Sequence, residues 1–241
     1  LAFVVAFHGI MRAGATVTTV GALGTAQDIA KQVTASGASL MLTVGALGTA
    51  GVEGAKDAGL AEDAVIDLAD EANGLASLLV EGHGAPEVAF DPSTHIAVLP
   101  FSSGTTGVPK GVELSHRNLV ANIVQCGPLL MANGQTPDST IMCVLPFFHI
   151  YGMNVLLNTS LYNRLHIVTM PAFDLPRFLE LHQVHDIDFT FVAPPIAVVL
   201  AKHPLIDQYD ISSLTTVLSG AAALDEKLAD AGQKRLGVAV L

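Results

Sequence analysis

Positive charge is scarce in this sequence. Its 241 residues carry 11 Lys and Arg against 22 Asp and Glu, a formal net charge of −11. So acidic a chain is poorly suited to nucleic acid or an anionic membrane surface as its main partner, and neither is expected. Long apolar runs are missing as well. Although 51% of residues are hydrophobic, no stretch approaches the ~20 residues of a membrane helix. His8 and Gly9 cut short the apolar start Leu1–Phe7, and no basic region or cleavage site makes that start a signal peptide. Cysteine is nearly absent: Cys126 and Cys143 lie in apolar surroundings without C-x-x-C spacing, so buried free thiols and a cytoplasmic location are expected.

Two familiar phosphate and hydrolase signatures are also lacking. The nearest approach to a Walker A loop has Pro109 before Lys110 and Gly111 after it, so the register is wrong and the Mg²⁺-binding hydroxyl is missing. Neither Ser102 nor Ser103 has glycine two residues before and two after it, which removes the G-x-S-x-G elbow.

What is present is the run Phe101-Ser-Ser-Gly-Thr-Thr-Gly-Val-Pro-Lys-Gly111, directly after the apolar stretch His95–Pro100. Glycines let the backbone approach a ligand closely. Hydroxyls and N–H groups can then cup an anion while a lysine supplies the countercharge. The alternative, a flexible Gly/Ser/Thr surface loop, does not account for the ordered Pro-Lys-Gly ending. A polyphosphate is the ligand this composition suits.

Around that loop, β-branched runs alternate with helical ones. Strands are expected at Ala15–Val20, Ser39–Val44, Ala64–Leu68, Thr140–Leu145, Arg164–Met170, Phe189–Val192 and Leu214–Leu218, with a further strand-like run at Leu236–Leu241. Helices are expected from Thr25, as N-cap, to Ala35, over Arg117–Gln125 with Ser115 as its cap, and over Leu175–His185 and Ile196–Lys202. Such alternation implies parallel βαβ units and an α/β fold with sheets flanked by helices. The octapeptide Thr19–Ala26 recurs verbatim at Thr43–Ala50; with two copies only, two similar strand-to-helix turns are expected rather than a solenoid. Glu81–Pro86 reads as a surface linker. Three loops at strand ends, 102–111, 146–152 and 219–223, therefore hold the interesting residues, on the edge where open α/β sheets gather ligands.

With those loops in hand, the chain resembles the adenylate-forming superfamily of acyl-CoA synthetases, luciferases and peptide adenylation domains. Ser102–Gly111 matches the signature phosphate loop at every position, Leu145-Pro-Phe-Phe-His-Ile-Tyr-Gly152 a second core motif, and Gln208–Ser213 and Ser219–Ala222 follow in the right order. The similarity is greatest to the 4-coumarate–CoA ligase branch. It implies a partial large N-terminal domain of αβαβα type. It also implies a two-step reaction with ATP, Mg²⁺ and coenzyme A. A carboxylic acid, aryl or fatty acyl, is first converted to an acyl-adenylate and then to a thioester.

On that resemblance Ser102, Ser103, Gly104, Thr105, Thr106, Gly107 and Lys110 hold the β- and γ-phosphates, Thr106 also meeting the metal. His149 lies beside the reacting carboxylate and, with Lys110, is a candidate catalytic residue. Ile150, Tyr151, Val155 and Ala221 line the acyl pocket, and Gly220, Ala221 and Ala222 pack against adenine. Without the flanking motif, His149 would read as a satisfied core histidine; on spacing alone Tyr151 could equally be a core aromatic, and Gly220–Ala222 a plain small-residue turn. Val155, Ala172 and Ala223 depart from the serine, CoA-contacting lysine and proline usual in the plant enzymes. That points away from coumarate itself.

The chain opens on Leu1 inside an apolar segment and closes on an uncapped apolar run. The superfamily's Gly-Tyr-Gly-x-Thr-Glu motif would begin just after Leu241. The expectation is therefore a fragment, inactive by itself, of an acid–CoA ligase. The alternatives are an acyl-adenylate ligase serving a carrier protein and a non-catalytic nucleotide-binding fragment or truncated pseudo-enzyme.

Overall fold

The computed structural model describes all residues except 22, 46–47, 80–83 and 103–108. It divides into two compact units, Leu1–Asn118 and Leu119–Leu241.

The first unit begins with α1 (Ala2–Arg12) and α2 (Ala26–Ser36). Thr25 caps α2 as expected, accepting from the Asp28 N–H at 3.2 Å. A βαβ unit follows: β1 (Met41–Thr43), α3 (Gly48–Asp57) and β2 (Val65–Asp67), with β1 and β2 parallel. After the short α4 (Leu75–Leu78), β3 (Ile96–Val98) pairs antiparallel with β6 (Leu114–Ser115). Between them β4 (Phe101–Ser102) pairs with β5 (Lys110–Gly111).

The strand expected over Ala15–Val20 is reduced to one parallel bridge, Val17 with Val98. Its threonines are the reason. Thr16 and Thr18 donate their hydroxyls to the Ile96 and Leu99 carbonyls at 2.8 and 2.9 Å, so side chains satisfy acceptors that a second strand's N–H groups would otherwise take. The two octapeptide copies also differ. The first starts its helix at Ala26, after the Thr25 cap, whereas the second is already helical at Gly48, two positions earlier in register. A strand precedes only the second copy. Residues 81–83 of the expected linker lie outside the described residues, and Gly84–Pro86 is irregular and exposed where described.

The second unit is a five-stranded, wholly parallel sheet. In chain order its strands are β7 (Thr140–Cys143), β8 (His166–Thr169), β9 (Phe189–Val192), β10 (Thr216–Ser219) and β11 (Ala239–Val240). In space they run β11-β10-β9-β7-β8. Both faces are covered, which explains why its central strands read as unbroken apolar runs rather than alternating ones. Met142, Val192 and Val217 face a cluster with Phe178, Leu179, Ala197 and Leu200. Those last four come from α7 (Leu175–His185) and α8 (Pro194–Lys202). On the other face Ile141, Cys143, Phe189 and Phe191 pack with Leu130 and Leu156.

Leu130 belongs to α5 (His116–Ala132), which Ser115 caps through the Asn118 N–H and which continues beyond the expected Gln125, through Pro128. Leu156 belongs to a π-helix, Tyr151–Asn158, that runs into α6 (Thr159–Tyr162). Pro194 and Pro195 open α8 instead of merely ending β9, because proline lacks only an N–H that a first helical turn leaves unpaired anyway. Leu236 is not in a strand: it ends α9 (Glu226–Leu236), whose N-cap is Asp225 and whose C-terminal stop is Gly237 at φ 70°.

Candidate functional site

The strand order places a switch point in the second unit. From β7 the chain crosses to β8 by way of the π-helix on one face. From β9 it crosses to β10 by way of α8 on the other. Adjacent parallel strands whose connections leave on opposite faces open a crevice at their carboxyl ends, the usual ligand position in open α/β sheets. Residues 144–150 follow β7 there, and Gly220–Ala223 follow β10, one strand further on.

Close backbone approaches shape the first of these segments. The Pro146 carbonyl lies so near Gly152 that no Cβ could stand there. The same carbonyl accepts from the His149 N–H at 3.2 Å, and the His149 carbonyl accepts from Met153 N–H at 2.8 Å. The turn thus delivers the chain into the π-helix with His149 exposed at its start and Ile150 half-buried. Exposure disposes of the core-histidine reading of His149. Its Nδ1 accepts from the Tyr151 N–H at 3.3 Å, leaving Nε2 as the ring's outward polar atom.

Tyr151 joins the two segments. A Cβ on Gly220 would stand 2.5 Å from both the Cζ and the Oη of Tyr151, so the phenol ring rests directly on the glycine backbone. The ring also meets Phe191 of β9 edge-on, with centroids 6.2 Å apart. Close approach of a flat ring is what a small residue at 220 suggests; in the structure the ring is the protein's own. The Tyr151 hydroxyl is buried and has no hydrogen-bond partner among the described residues. Burial, with Cys126 close by, pushes its pKa well above the usual phenol value, so it stays a protonated donor. Val155 packs half-buried on the same cluster. Ala221 and Ala222 are exposed, Ala221 in the left-handed region at φ 67°, uncommon for a residue with a Cβ.

The glycine-rich loop belongs to the first unit. Its base is the β4–β5 pair, in which Ser102 stands directly opposite Lys110, both exposed. A hairpin root of this kind fixes where the loop begins and ends and sets a serine and a lysine opposite each other at its base. Ser103, Gly104, Thr105, Thr106 and Gly107 lie outside the described residues. Among the described residues no group of three or more His, Cys, Asp or Glu could hold a metal ion, and no helix is long and apolar enough to cross a membrane.

Both cysteines are free, but only Cys143 is buried, its thiol pushed up to about 12 by desolvation; Cys126 is half-exposed, correcting the expectation that both are buried. Sequence reasoning missed Asn122, Asn154 and Asn158, a hydrogen-bonded set behind the π-helix. Two asparagines four apart, Asn154 and Asn158, in the otherwise apolar run Met153–Asn158 were the available signal. An open cleft of about 620 Å³ in the first unit, lined by His8, Arg12, Phe90 and His116 among others, holds none of the candidate site residues.

Known proteins resemble this chain in sequence and in fold. The family of AMP-binding enzymes matches residues 1–241. The 4-coumarate–CoA ligase 5 of Oryza sativa subsp. japonica is 39% identical over 249 residues, covering 99% of this chain and 44% of its own length. Among solved structures, a red-emitting luciferase from Phrixothrix hirtus superposes with TM-score 0.89 at 27% identity, covering 99% of this chain and 60% of that one. A long-chain-fatty-acid–CoA ligase from Archaeoglobus fulgidus does so at 0.83 and 25%, covering 96% and 46%. The chain thus spans less than half the length of the rice relative.

Proposed function

Since the chain belongs to the AMP-binding enzyme family, we propose that the protein containing it activates a carboxylic acid with ATP and transfers the acyl group to coenzyme A. The carboxylate oxygen attacks the α-phosphorus of Mg-ATP, the bond to the bridging oxygen breaks, and pyrophosphate leaves. The thiolate of coenzyme A then attacks the acyl carbon and AMP departs with the electron pair of the acyl C–O bond. The observation that carries this reading is the meeting of the β7 and β10 segments, through Tyr151 on Gly220, at the switch point of a parallel sheet.

In this reading Ser102 and Lys110, with Ser103, Gly104, Thr105, Thr106 and Gly107, hold the phosphates, and the Thr106 hydroxyl meets the Mg²⁺ that accompanies ATP. The exposed His149 ring faces the acid's carboxylate and offsets charge as the new bond forms. Ile150, Tyr151 and Val155 wall the acyl pocket, while Gly220, Ala221 and Ala222 present backbone to adenine. A net charge of −11 argues against nucleic acid as a partner, and the two free thiols fit a reducing cytoplasm.

The test is acid-dependent exchange of labelled pyrophosphate into ATP by the full-length protein. Exchange with one of a panel of cinnamic, benzoic and fatty acids is expected, and silence across the panel sinks the proposal. Free acyl-CoA on addition of coenzyme A separates this function from transfer to a carrier protein.

A further inference from the structure

The segment that carries His149 and Tyr151 continues into eight residues of π-helix, Tyr151–Asn158, a rare conformation with i→i+5 bonds that holds an extra residue relative to α-helix. Nothing in its composition demands that: Met153, Leu156 and Leu157 are ordinary core residues, all essentially buried. What is unusual is Asn154, 2% exposed in the middle of that apolar run.

Every bond it makes ties the π-helix to something else or holds its own irregular backbone. Asn154 Nδ2 donates to Asn122 Oδ1 at 2.7 Å and to the Leu119 carbonyl at 3.3 Å, both on α5. Its Oδ1 accepts from Asn158 Nδ2 at 3.0 Å, and its backbone carbonyl accepts from the Thr159 hydroxyl at 3.0 Å. Asn122 in turn donates to Cys126 Sγ at 3.6 Å, one turn further along α5. The ladder Cys126–Asn122–Asn154–Asn158, with the bond to the Leu119 carbonyl, therefore pins α5 to the π-helix.

As a device for stability it is poorly finished, because Asn158 Oδ1 remains buried without a partner among the described residues. As a device for register it is well placed. If the segment relaxed by one residue to α-helical winding, side chains would rotate by about 100° around its axis. Tyr151 packs so close to Gly220 that even a Cβ there would stand 2.5 Å from its ring, and a backbone rotation of that size would take the ring off this contact.

We propose that Asn154 is a positioning residue: by locking the π register against α5 it sets where Tyr151 and His149 stand at the end of β7. Its side-chain bonds all go to protein groups, on α5 and at Asn158. The assignment rests on the acid-activation reading for its functional consequence, but not for its structural one.

Two measurements on the full-length protein test it. In Asn154→Leu, which keeps bulk and removes every side-chain bond, amide hydrogen exchange over residues 149–159 should accelerate about tenfold or more, with α7 and α8 unchanged. In the same variant the KM for the acid, or the rate of adenylate formation, should worsen at least about tenfold, as misplacement near 1 Å can cost ~100-fold, with the KM for ATP within about twofold. Unchanged exchange overturns the proposal, and so does a loss shared equally between acid and ATP. Wild-type protein that shows no acid-dependent exchange of pyrophosphate defeats the functional reading only, and hydrogen exchange still decides the register lock. If Asn154→Leu does not fold, Asn122→Ala removes the 2.7 Å bond from the α5 side of the ladder. It should then give the same selectivity at smaller amplitude; no effect on either readout overturns the proposal.

Discussion

On one face of the second unit's sheet, α7 and α8 lie over Met142, Val192 and Val217, and nearly everything they bury is hydrocarbon. On the other, α5 and the π-helix cover Ile141, Cys143, Phe189 and Phe191, and among the buried groups are Asn154, Asn158 and the tyrosine hydroxyl. The same five strands thus support a face of regular helices and a face with a winding that regular packing would not select. The first can be changed at the expense of stability alone. The second holds the groups that meet the β10 turn, and its departures from ideal helix and dry core are where position matters more than burial.

The largest expected effect is on the regular face. Phe178 is 1% exposed and central to its cluster. Phe178→Ala leaves a cavity and should cost about 3–5 kcal/mol of unfolding free energy, read by denaturant titration. The comparison predicts that acid KM per folded molecule hardly moves; a selective acid defect would erase the distinction between faces.

Next comes the one titratable side chain buried on that face. His182 Nδ1 donates to the Phe178 carbonyl at 2.8 Å, so Nε2 is the unprotonated atom, and it is buried without a partner among the described residues. Desolvation lowers its pKa from 6.5 to about 4. The unfolded chain therefore takes up the proton first as pH falls. Stability is fully present above pH 6.5 and declines between 6.5 and 4, by about 3 kcal/mol in total. His182→Gln should flatten that part of the stability profile; an unaltered slope assigns the titration to other histidines, such as the partly buried His8 and His116.

Much of the regular face was legible in sequence, and much of the other was not. Phe189–Val192 and Leu175–His185 appear with the bounds the pattern implies, because a buried parallel strand and an amphipathic helix with an Asp174 cap write their periods into composition. The π-helix does not, since an insertion of part of a turn leaves apolar spacing nearly helical. Likewise His149, Tyr151 and Gly220 were found as separate motif residues, whereas the contact of one ring with one glycine depends on strand order β10-β9-β7, which no local pattern encodes. Helix α9 was readable from Asp225 and Gly237 but hidden by the apolar run that overlaps its end. The bridge at Val17 shows the opposite error, a strand-like sequence whose hydroxyls replaced the ladder.

On the irregular face, Gly220→Ala asks for the space that Tyr151 fills. Because the atoms in the way are the far end of a side chain, the ring can swing aside, so stability should change little. Displacing the ring should nevertheless slow adenylate formation by up to ~100-fold, with acid KM or rate affected and ATP KM preserved. A double variant Gly220→Ala/Tyr151→Ala no slower than Tyr151→Ala alone would show that the two residues act through one contact, as neighbouring substitutions do when they are not additive; a further loss would separate them.

The smallest effect should come from Lys110, which lies in the first unit, on neither face. It is exposed and paired across a hairpin with Ser102. A single charge-assisted contact to phosphate contributes roughly 1.5–3 kcal/mol, and solvent at this site favours the lower end, so Lys110→Ala should reduce pyrophosphate exchange by about tenfold. Its selectivity should mirror that of Gly220: ATP KM rises while acid KM stays, and thioester formation from preformed adenylate is nearly intact. Equal losses in both half-reactions would make Lys110 a structural residue of the hairpin, and the separation of duties would then lie wholly within the second unit.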